Sequence, residues 1–173
     1  MADESEDFKW VMRLLAYHGA RSAELCQLQK EDVTEAFGIP IIRIHDKFGS
    51  VKNVHSVRDV SLHPACTAFI AYAATSASPR IFQWSAWQGY AGRFQARASR
   101  LLRTKAAIAD PKLTIHSLCH RWRTLAREIN MPEAVSRAIM GHALGKGDHA
   151  EYGRVPSVKI RAEWMAKIDP LGG

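Results

Sequence analysis

The chain has 173 residues, 47% of them hydrophobic, and a formal net charge of +7 at pH 7. This length and apolar content fit one domain with a buried core, and no apolar run approaches the roughly eighteen residues of a membrane span. The acidic start, MADESED, does not resemble a signal peptide. We therefore expect a soluble, cytoplasmic protein without a membrane partner, whose three scattered cysteines are reduced.

The positive charge is concentrated in the middle of the chain. Residues 80–128 carry ten lysines and arginines against two acidic residues, a net charge of +8, so the remaining residues sum to −1. Within this segment Arg93, Arg97 and Arg100 fall on one face of a predicted helix. A solvated helix face is the simplest explanation of such a stripe. The clustering favours instead a surface that contacts the phosphates of a nucleic acid.

Two helices are predicted at the N-terminal end. Ser5 can cap a helix over residues 6–18, whose apolar residues recur at helical spacing, and Gly19 ends it. A short second helix follows, with Ser22 as its cap. Arg21 is therefore expected in the turn between the two helices.

Two strands are predicted next. Residues 39–46 are rich in isoleucine, which favours a strand, and a second strand is expected over residues 57–62. The stretch between them contains Lys47 and Lys52 and is expected at or near the turn of a hairpin. These strands predict a small antiparallel sheet near the N-terminal side of the fold.

The middle of the chain is predicted to be helical. A helix over residues 64–75 is expected to bury Phe69 and Ile70. A longer helix over residues 85–107 carries the arginine stripe, and the Asp-Pro pair at 110–111 interrupts the pattern after it.

Residues 114–154 gather most of the groups that can carry chemistry. A helix starting near Ser117 would direct Trp122 to the core. Cys119 and Arg123 are four residues apart, so they share a face that we expect to be polar.

A shorter helix is predicted from Pro132 to Gly141, so His142 lies just past a helix end and is expected to face a cleft. Tyr152 follows a glycine-containing stretch and is expected on a mobile segment. Ser157 can cap a last helix, whose apolar face is too large to leave in water. We expect that helix to dock on a neighbouring protomer or on its own chain.

These motifs resemble the C-terminal signature of the tyrosine recombinases, the phage integrase family. That signature reads His-x-x-Arg, then Gly-His, then Tyr, and its matches here are His116, His142 and Tyr152. The arginine position of the motif is occupied by Cys119, because the chain reads HSLCH.

Two further boxes of the family occur nearer the N-terminus. GARSAELCQL matches the box that carries the family's first catalytic arginine, at Arg21, although a surface pair between Arg21 and Glu24 would explain those two residues equally well. VKNVHSVRDVSLHP matches the region of the catalytic lysine, with Lys52 as the preferred candidate and Lys47 as the alternative.

The resemblance implies an α+β fold that is mostly helical, like the tyrosine recombinase catalytic domain. Residues 8–173 would form a single integrase-type catalytic domain after a tail of residues 1–7. The separate N-terminal DNA-clamping domain of the family would be absent from this chain.

The resemblance also implies a bacterial or phage-encoded site-specific recombinase, which breaks and rejoins double-stranded DNA without a cofactor or metal. Tyr152 would attack the phosphate and keep the DNA 3′ end, Arg21 would clamp the phosphate, and Lys52 would protonate the leaving oxygen. His116 and His142 would assist by proton transfer and hydrogen bonding. Other protomers of the same protein would be partners on DNA. The DNA-binding residues would be Arg93, Arg97, Arg100, Arg121 and Arg123.

Cys119 leaves the activity open. Cysteine has neither the charge nor the reach of arginine, so the rate should fall by roughly 10² to 10³. The alternative is an inactive DNA-binding module of the same fold. Two other interpretations are a zinc site built from His116, Cys119 and His120 with His142 or His149, and a Cys119 nucleophile. Against them, neighbouring arginines repel a cation and no third group orients the thiol.

Overall fold

The computed structural model describes residues 4–82, 90–143 and 155–172. Within these ranges the fold is mostly helical with one small antiparallel sheet on the N-terminal side, as predicted. In chain order the elements are α1 (Glu6–His18), α2 (Ser22–Cys26), β1 (Val33–Ala36), β2 (Ile39–Ile44), β3 (Arg58–Ser61), α3 (Ala68–Thr75), α4 (Tyr90–Thr104), α5 (Ser117–Glu128), α6 (Glu133–Met140) and α7 (Val158–Met165).

Helix α1 begins and ends where the sequence predicts. The Ser5 hydroxyl accepts a hydrogen bond from the Phe8 amide at 3.4 Å, and Gly19 ends the helix with φ at 60°. A Cβ on Gly19 would lie 2.8 Å from the indole of Trp122. Glycine therefore serves two purposes here, since it adopts the left-handed conformation and lets α5 pack directly against the chain.

Helix α2 starts one residue earlier than expected. Arg21 is its extended N-cap residue and Ser22 already lies in the helix, so the predicted Ser22 cap is wrong. The cap comes instead from Glu24, whose carboxylate accepts the Arg21 backbone amide at 2.9 Å. This arrangement fixes the Arg21 backbone beside a buried carboxylate.

The sheet has the strand order β1-β2-β3, and both pairs are antiparallel. The predicted hairpin between residues 39–46 and 57–62 is present as β2 and β3. The sequence did not predict β1, because no alternating apolar pattern marks it. The two-residue turn that joins β1 to β2 has positive φ at Phe37 (55°) and Gly38 (75°), and phenylalanine is an unusual residue for that position.

The middle helices are shorter than predicted. A 3-10 turn over Pro64–Cys66 precedes α3, and α4, which is described from Tyr90, ends at Thr104 rather than at residue 107. The predicted start of α4 at residue 85 lies among residues 83–89, which are outside the described ranges. Phe69 is fully buried as expected, but Ile70 is 41% exposed, so that part of the prediction is wrong. Neighbouring side chains on a helix point about 100° apart, so Ile70 turns away from the buried face that Phe69 occupies.

The core joins α1 to α5. Trp122 is fully buried and its indole N–H donates to the Tyr17 carbonyl at 2.9 Å, so the largest core side chain also has its polar atom satisfied. Phe8, at the other end of α1, packs against Phe94 of α4 with ring centroids 5.2 Å apart. These contacts hold the α1–α2 turn against the N-terminal end of α5.

Helix α7 docks on its own chain. The Ser157 hydroxyl accepts from the Ile160 amide at 3.3 Å, as predicted for a cap. Met165 and Ile168 are fully buried, and the Ile168 carbonyl is 3.0 Å from the His63 ring. The intramolecular form of the predicted docking is therefore the one observed. No helix in the described ranges has the length and apolarity to cross a membrane.

Candidate active site

A narrow cleft of about 70 Å³ forms where the α1–α2 turn, the start of α5 and the end of α6 meet. It brings together Arg21, His116 and His142, three residues that the sequence places far apart and assigns to one site. The residues lining the cleft are Gly19, Arg21, His116, Cys119, His120, Arg123, Met140 and His142.

Arg21 is held in place by Glu24. Arg21 Nη1 lies 2.6 Å from one Glu24 carboxylate oxygen and 3.3 Å from the Ser56 hydroxyl. The pair considered from the sequence is therefore present, but Glu24 is buried rather than on the surface. Both contacts use one nitrogen of a group that has five N–H donors. The ion pair orients the guanidinium at the cleft.

Arg58 ties three elements together beneath the cleft. Its guanidinium contacts Glu24 at 3.0 Å, the Ser56 carbonyl at 2.7 Å and the Ile139 carbonyl at 2.7 Å, and the side chain is only 5% exposed. Burial alone would raise the pKa of Glu24, but Arg58 and then Arg21 outweigh it, so that pKa lies below its ordinary value. Glu24 is thus an ionised anchor shared by two arginines.

Arg58 belongs to the motif VKNVHSVRDVSLHP, but the resemblance assigned it no role. The signal was the Ser-x-Arg spacing of Ser56 and Arg58. The Ser56 hydroxyl accepts from Arg21 and its carbonyl accepts from Arg58, so Ser56 contacts both of the arginines that pair with Glu24. His120 was likewise given no part in the cleft. It lies across from His116 with ring centroids 5.2 Å apart at 90°.

The two motif histidines are biased towards the neutral form. Burial is the largest cause that lowers the pKa of His116. The neighbouring His120 lowers it further, and so do the positive charges of Arg21 and Lys52. Burial likewise lowers the pKa of His142, with Arg21 the largest of the charges that add to it. At neutral pH each ring can therefore accept a proton or donate a hydrogen bond.

The two lysine candidates have different surroundings. Lys47 pairs with Glu31 at 2.9 Å and lies over the Phe48 ring, 4.6 Å from its centroid. Lys52 is exposed and is close enough to His116 for its charge to lower that pKa. This arrangement favours Lys52 as the lysine that serves the cleft.

Cys119 lines the polar cleft together with Arg123, but its own side chain is buried. It is 6% exposed, belongs to the hydrophobic core and donates from Sγ to the Ala20 carbonyl at 3.2 Å. Burial, followed by the charge of Glu24, raises the pKa of its thiol to about 11. The thiol is protonated at neutral pH, which argues against the nucleophilic interpretation.

A zinc site has no support among the residues that the structure describes, which leave out His149. The described ranges contain no group of three or more histidine, cysteine, aspartate or glutamate side chains placed to hold a metal ion. The positive charges of Arg21 and Arg123 at the same cleft would also oppose a cation.

The chain is similar to known recombinases in sequence and in fold. It is 24% identical over 165 residues to the prophage integrase IntF of Escherichia coli (strain K12), covering 91% of this chain and 33% of IntF. It is 19% identical to the XerH site-specific recombinase, solved bound to difH substrate in a pre-cleavage complex, with a TM-score of 0.57 over 82% of this chain and 42% of that one. No protein-family model matches. The structural match shows that the chain shares the fold of that recombinase, and the sequence similarity to the prophage integrase supports the resemblance to the tyrosine recombinases.

The chain spans about a third of IntF and less than half of the XerH chain. Of the residues that match the tyrosine recombinase motifs, the cleft unites Arg21, His116 and His142 and includes the Cys119 position. Tyr152, the predicted nucleophile, lies outside the described residues.

The arginines expected to bind DNA have varied surroundings. Arg93 and Arg100 are exposed on α4, whereas Arg97 pairs with Glu4 at 2.6 Å and lies over the Phe8 ring, 5.6 Å from its centroid. Arg97 therefore holds the N-terminal segment against α4 in this structure. On α5, Arg121 lies 3.6 Å from Glu128 and Arg123 lies 3.0 Å from Glu133.

Proposed function

We propose that this chain is the catalytic domain of a site-specific DNA recombinase, which integrates DNA by breaking and rejoining both partners through a 3′-phosphotyrosyl intermediate. The observation that carries this proposal is the convergence of Arg21, His116 and His142 on one cationic cleft. The similarity to a prophage integrase and to a recombinase solved with its DNA substrate supports double-stranded DNA as the partner.

Cleavage starts with the attack of the Tyr152 phenolic oxygen on the scissile phosphorus. A bond forms between this oxygen and the phosphorus, the bond to the 5′ oxygen breaks, and the DNA 3′ end stays on the tyrosine. The phenolic proton passes to a base and the 5′ oxygen gains a proton. A 5′ hydroxyl of the partner strand then reverses the reaction. Because each step exchanges one phosphate ester for another, no nucleotide is consumed.

The cleft residues suit these proton and charge movements. Arg21 binds the non-bridging oxygens, whose negative charge grows in the transition state. His116 and His142, with their pKa values below the ordinary range, can take up the phenolic proton or donate a hydrogen bond. Lys52 gives a proton to the leaving 5′ oxygen.

Cys119 limits this chemistry. A buried, protonated thiol supplies no charge where the family motif has an arginine. Loss of one such donor costs roughly 10² to 10³ in rate, so we propose that the chain is a slow enzyme. The second candidate function, a DNA-binding module of the same fold without catalysis, rests on the same observation.

Covalent trapping separates the two functions. DNA with a nick near the scissile phosphate loses its short 5′-hydroxyl fragment after cleavage, so rejoining fails and the protein–DNA adduct accumulates. We expect the parent chain to form this adduct slowly and the Tyr152→Phe variant to form none. DNA binding without adduct in the parent chain would support the binding module instead.

A further inference from the structure

Arg123 lies at the cleft although no recombinase motif includes it. It follows Cys119 by four residues on α5, so the two side chains leave the helix on the same side about one turn apart. Arg123 lines the same cleft as Arg21, His116 and His142. The cleft therefore holds an arginine side chain one turn further along α5 from position 119.

The surroundings of Arg123 leave it able to move. Its Nη2 lies 3.0 Å from Glu133, and Arg137 Nε contacts the same carboxylate oxygen at 2.9 Å. Glu133 is half exposed, so its pair with Arg123 is weak. When Arg123 turns towards a phosphate, Arg137 still neutralises Glu133.

The other arginines near this cleft are less suited to the task. Arg58 is buried and committed to Glu24 and to two backbone carbonyls. Arg137 donates to Glu133 and to the Ala143 carbonyl at 2.8 Å. Neither of these two lines the cleft between Arg21 and His142, whereas Arg123 does.

We propose that Arg123 is the second phosphate-binding arginine of this site and takes over, from one turn further along α5, the contact that Cys119 cannot make. The assignment rests on the proposed function for its catalytic meaning. The binding of a phosphate between Arg21 and Arg123, however, can be measured without any reaction.

Inorganic phosphate is a suitable probe of this pair of arginines. Its binding can be followed through the ring resonances of His116 and His142 by nuclear magnetic resonance, in the parent chain and in Arg123→Ala. The matched control is Arg127→Ala, which removes the same charge from an exposed position four residues further along α5, away from the cleft. Neither arginine is buried, so both variants should fold.

We expect Arg123→Ala to weaken phosphate binding at the two histidines by about tenfold, the loss typical of one hydrogen bond to a charged group. Arg127→Ala should bind phosphate like the parent chain. Equal weakening in the two variants, unchanged binding in Arg123→Ala, or no phosphate response at the histidines of the parent would each overturn the assignment.

The chemical role of Arg123 is tested on nicked DNA whose scissile phosphate is a methylphosphonate and therefore lacks one negative charge. Arg123→Ala should slow adduct formation by about 10² on ordinary DNA and by much less on the neutral substrate. The same loss on both substrates would overturn a charge-binding role. A parent chain that binds phosphate through Arg123 but forms no adduct would refute the proposed function and leave the phosphate site standing.

Discussion

Gly141 and Arg58 are packed so closely that any other residue at position 141 would displace the Arg58 guanidinium. A Cβ there would lie 2.5 Å from Arg58 Nη1, and the backbone has φ at 68°. Arg58 in turn holds Glu24, the anchor of Arg21. The glycine of the family's Gly-His pair therefore permits the packing that places His142 and Arg21 in one cleft.

We expect Gly141→Ala to destabilise the fold by about 3 kcal/mol, because it combines left-handed strain with displacement of a buried guanidinium. Gly38→Ala is the matched control: its φ is 75° but nothing lies within 4 Å of the added methyl group. That variant should lose only about 1 kcal/mol. Urea unfolding measures both, and equal losses would show that the contact with Arg58 is unimportant.

Glu24 should make the fold sensitive to acid. Arg58 and Arg21 lower the pKa of Glu24 from 4.5 against the opposing effect of burial. The contribution of Glu24 to the free energy of unfolding is therefore complete above pH 4.5 and is lost as pH falls through the folded-state pKa. Glu24→Gln leaves two arginines without their carboxylate and should cost about 3 kcal/mol at pH 7.

The pH dependence of unfolding tests this role of Glu24. The difference in unfolding free energy between the parent chain and Glu24→Gln should shrink in acid. Glu128→Gln, which alters an exposed carboxylate 3.6 Å from Arg121, should change little at either pH. A constant difference between parent and Glu24→Gln across the acid range would contradict the assignment.

Helix α7 should contribute to the stability of its own chain. Met165 is fully buried, so Met165→Ala should destabilise the fold by about 2–4 kcal/mol. Ile160 lies on the same helix but is exposed, and Ile160→Ala should change stability little. Thermal unfolding combined with sedimentation compares the two. A change in oligomeric state without loss of stability in Met165→Ala would contradict docking on the same chain.

The affinity for DNA should depend on salt through α4. If Arg93 and Arg100 contact phosphates, each contact removed should reduce the slope of log affinity against log salt by about 0.9. Arg100→Glu should therefore flatten this slope. The control Arg43→Glu reverses the charge of one arginine on β2 and should change the slope much less. Equal slopes for the Arg100→Glu and Arg43→Glu variants would indicate a general effect of net charge rather than a binding face.

The sequence predicted the ends of the helices that carry the site because their determinants are local. Ser5 and Gly19 bound α1, Gly141 ends α6, and the motif order assigns Arg21 and His142 to one site. The helix ends depend on capping residues, which are visible in a linear sequence, whereas the grouping of Arg21 with His142 is implied by the resemblance to the family motifs. The structure then supplies the cleft that joins the two motif residues.

The remaining features depend on contacts between distant segments. Arg58 joins Glu24, 34 residues away, and the Ile139 carbonyl, 81 residues away. Helical periodicity showed that Cys119 and Arg123 share a face but not which neighbour that face meets. Both residues line the cleft, but the α1–α2 turn buries Cys119 through the Ala20 carbonyl and leaves Arg123 partly exposed, a difference that only tertiary packing determines.

The most direct test of the central claim is to identify the atom that becomes attached to DNA. Nicked DNA is labelled on the strand segment whose 3′ end carries the scissile phosphate, and the trapped adduct is digested and sequenced by mass spectrometry. We predict the label on the peptide that contains Tyr152, joined through a 3′ phosphate, with no label in Tyr152→Phe. A label attached through a 5′ phosphate, or one that remains in Tyr152→Phe, would contradict cleavage by Tyr152.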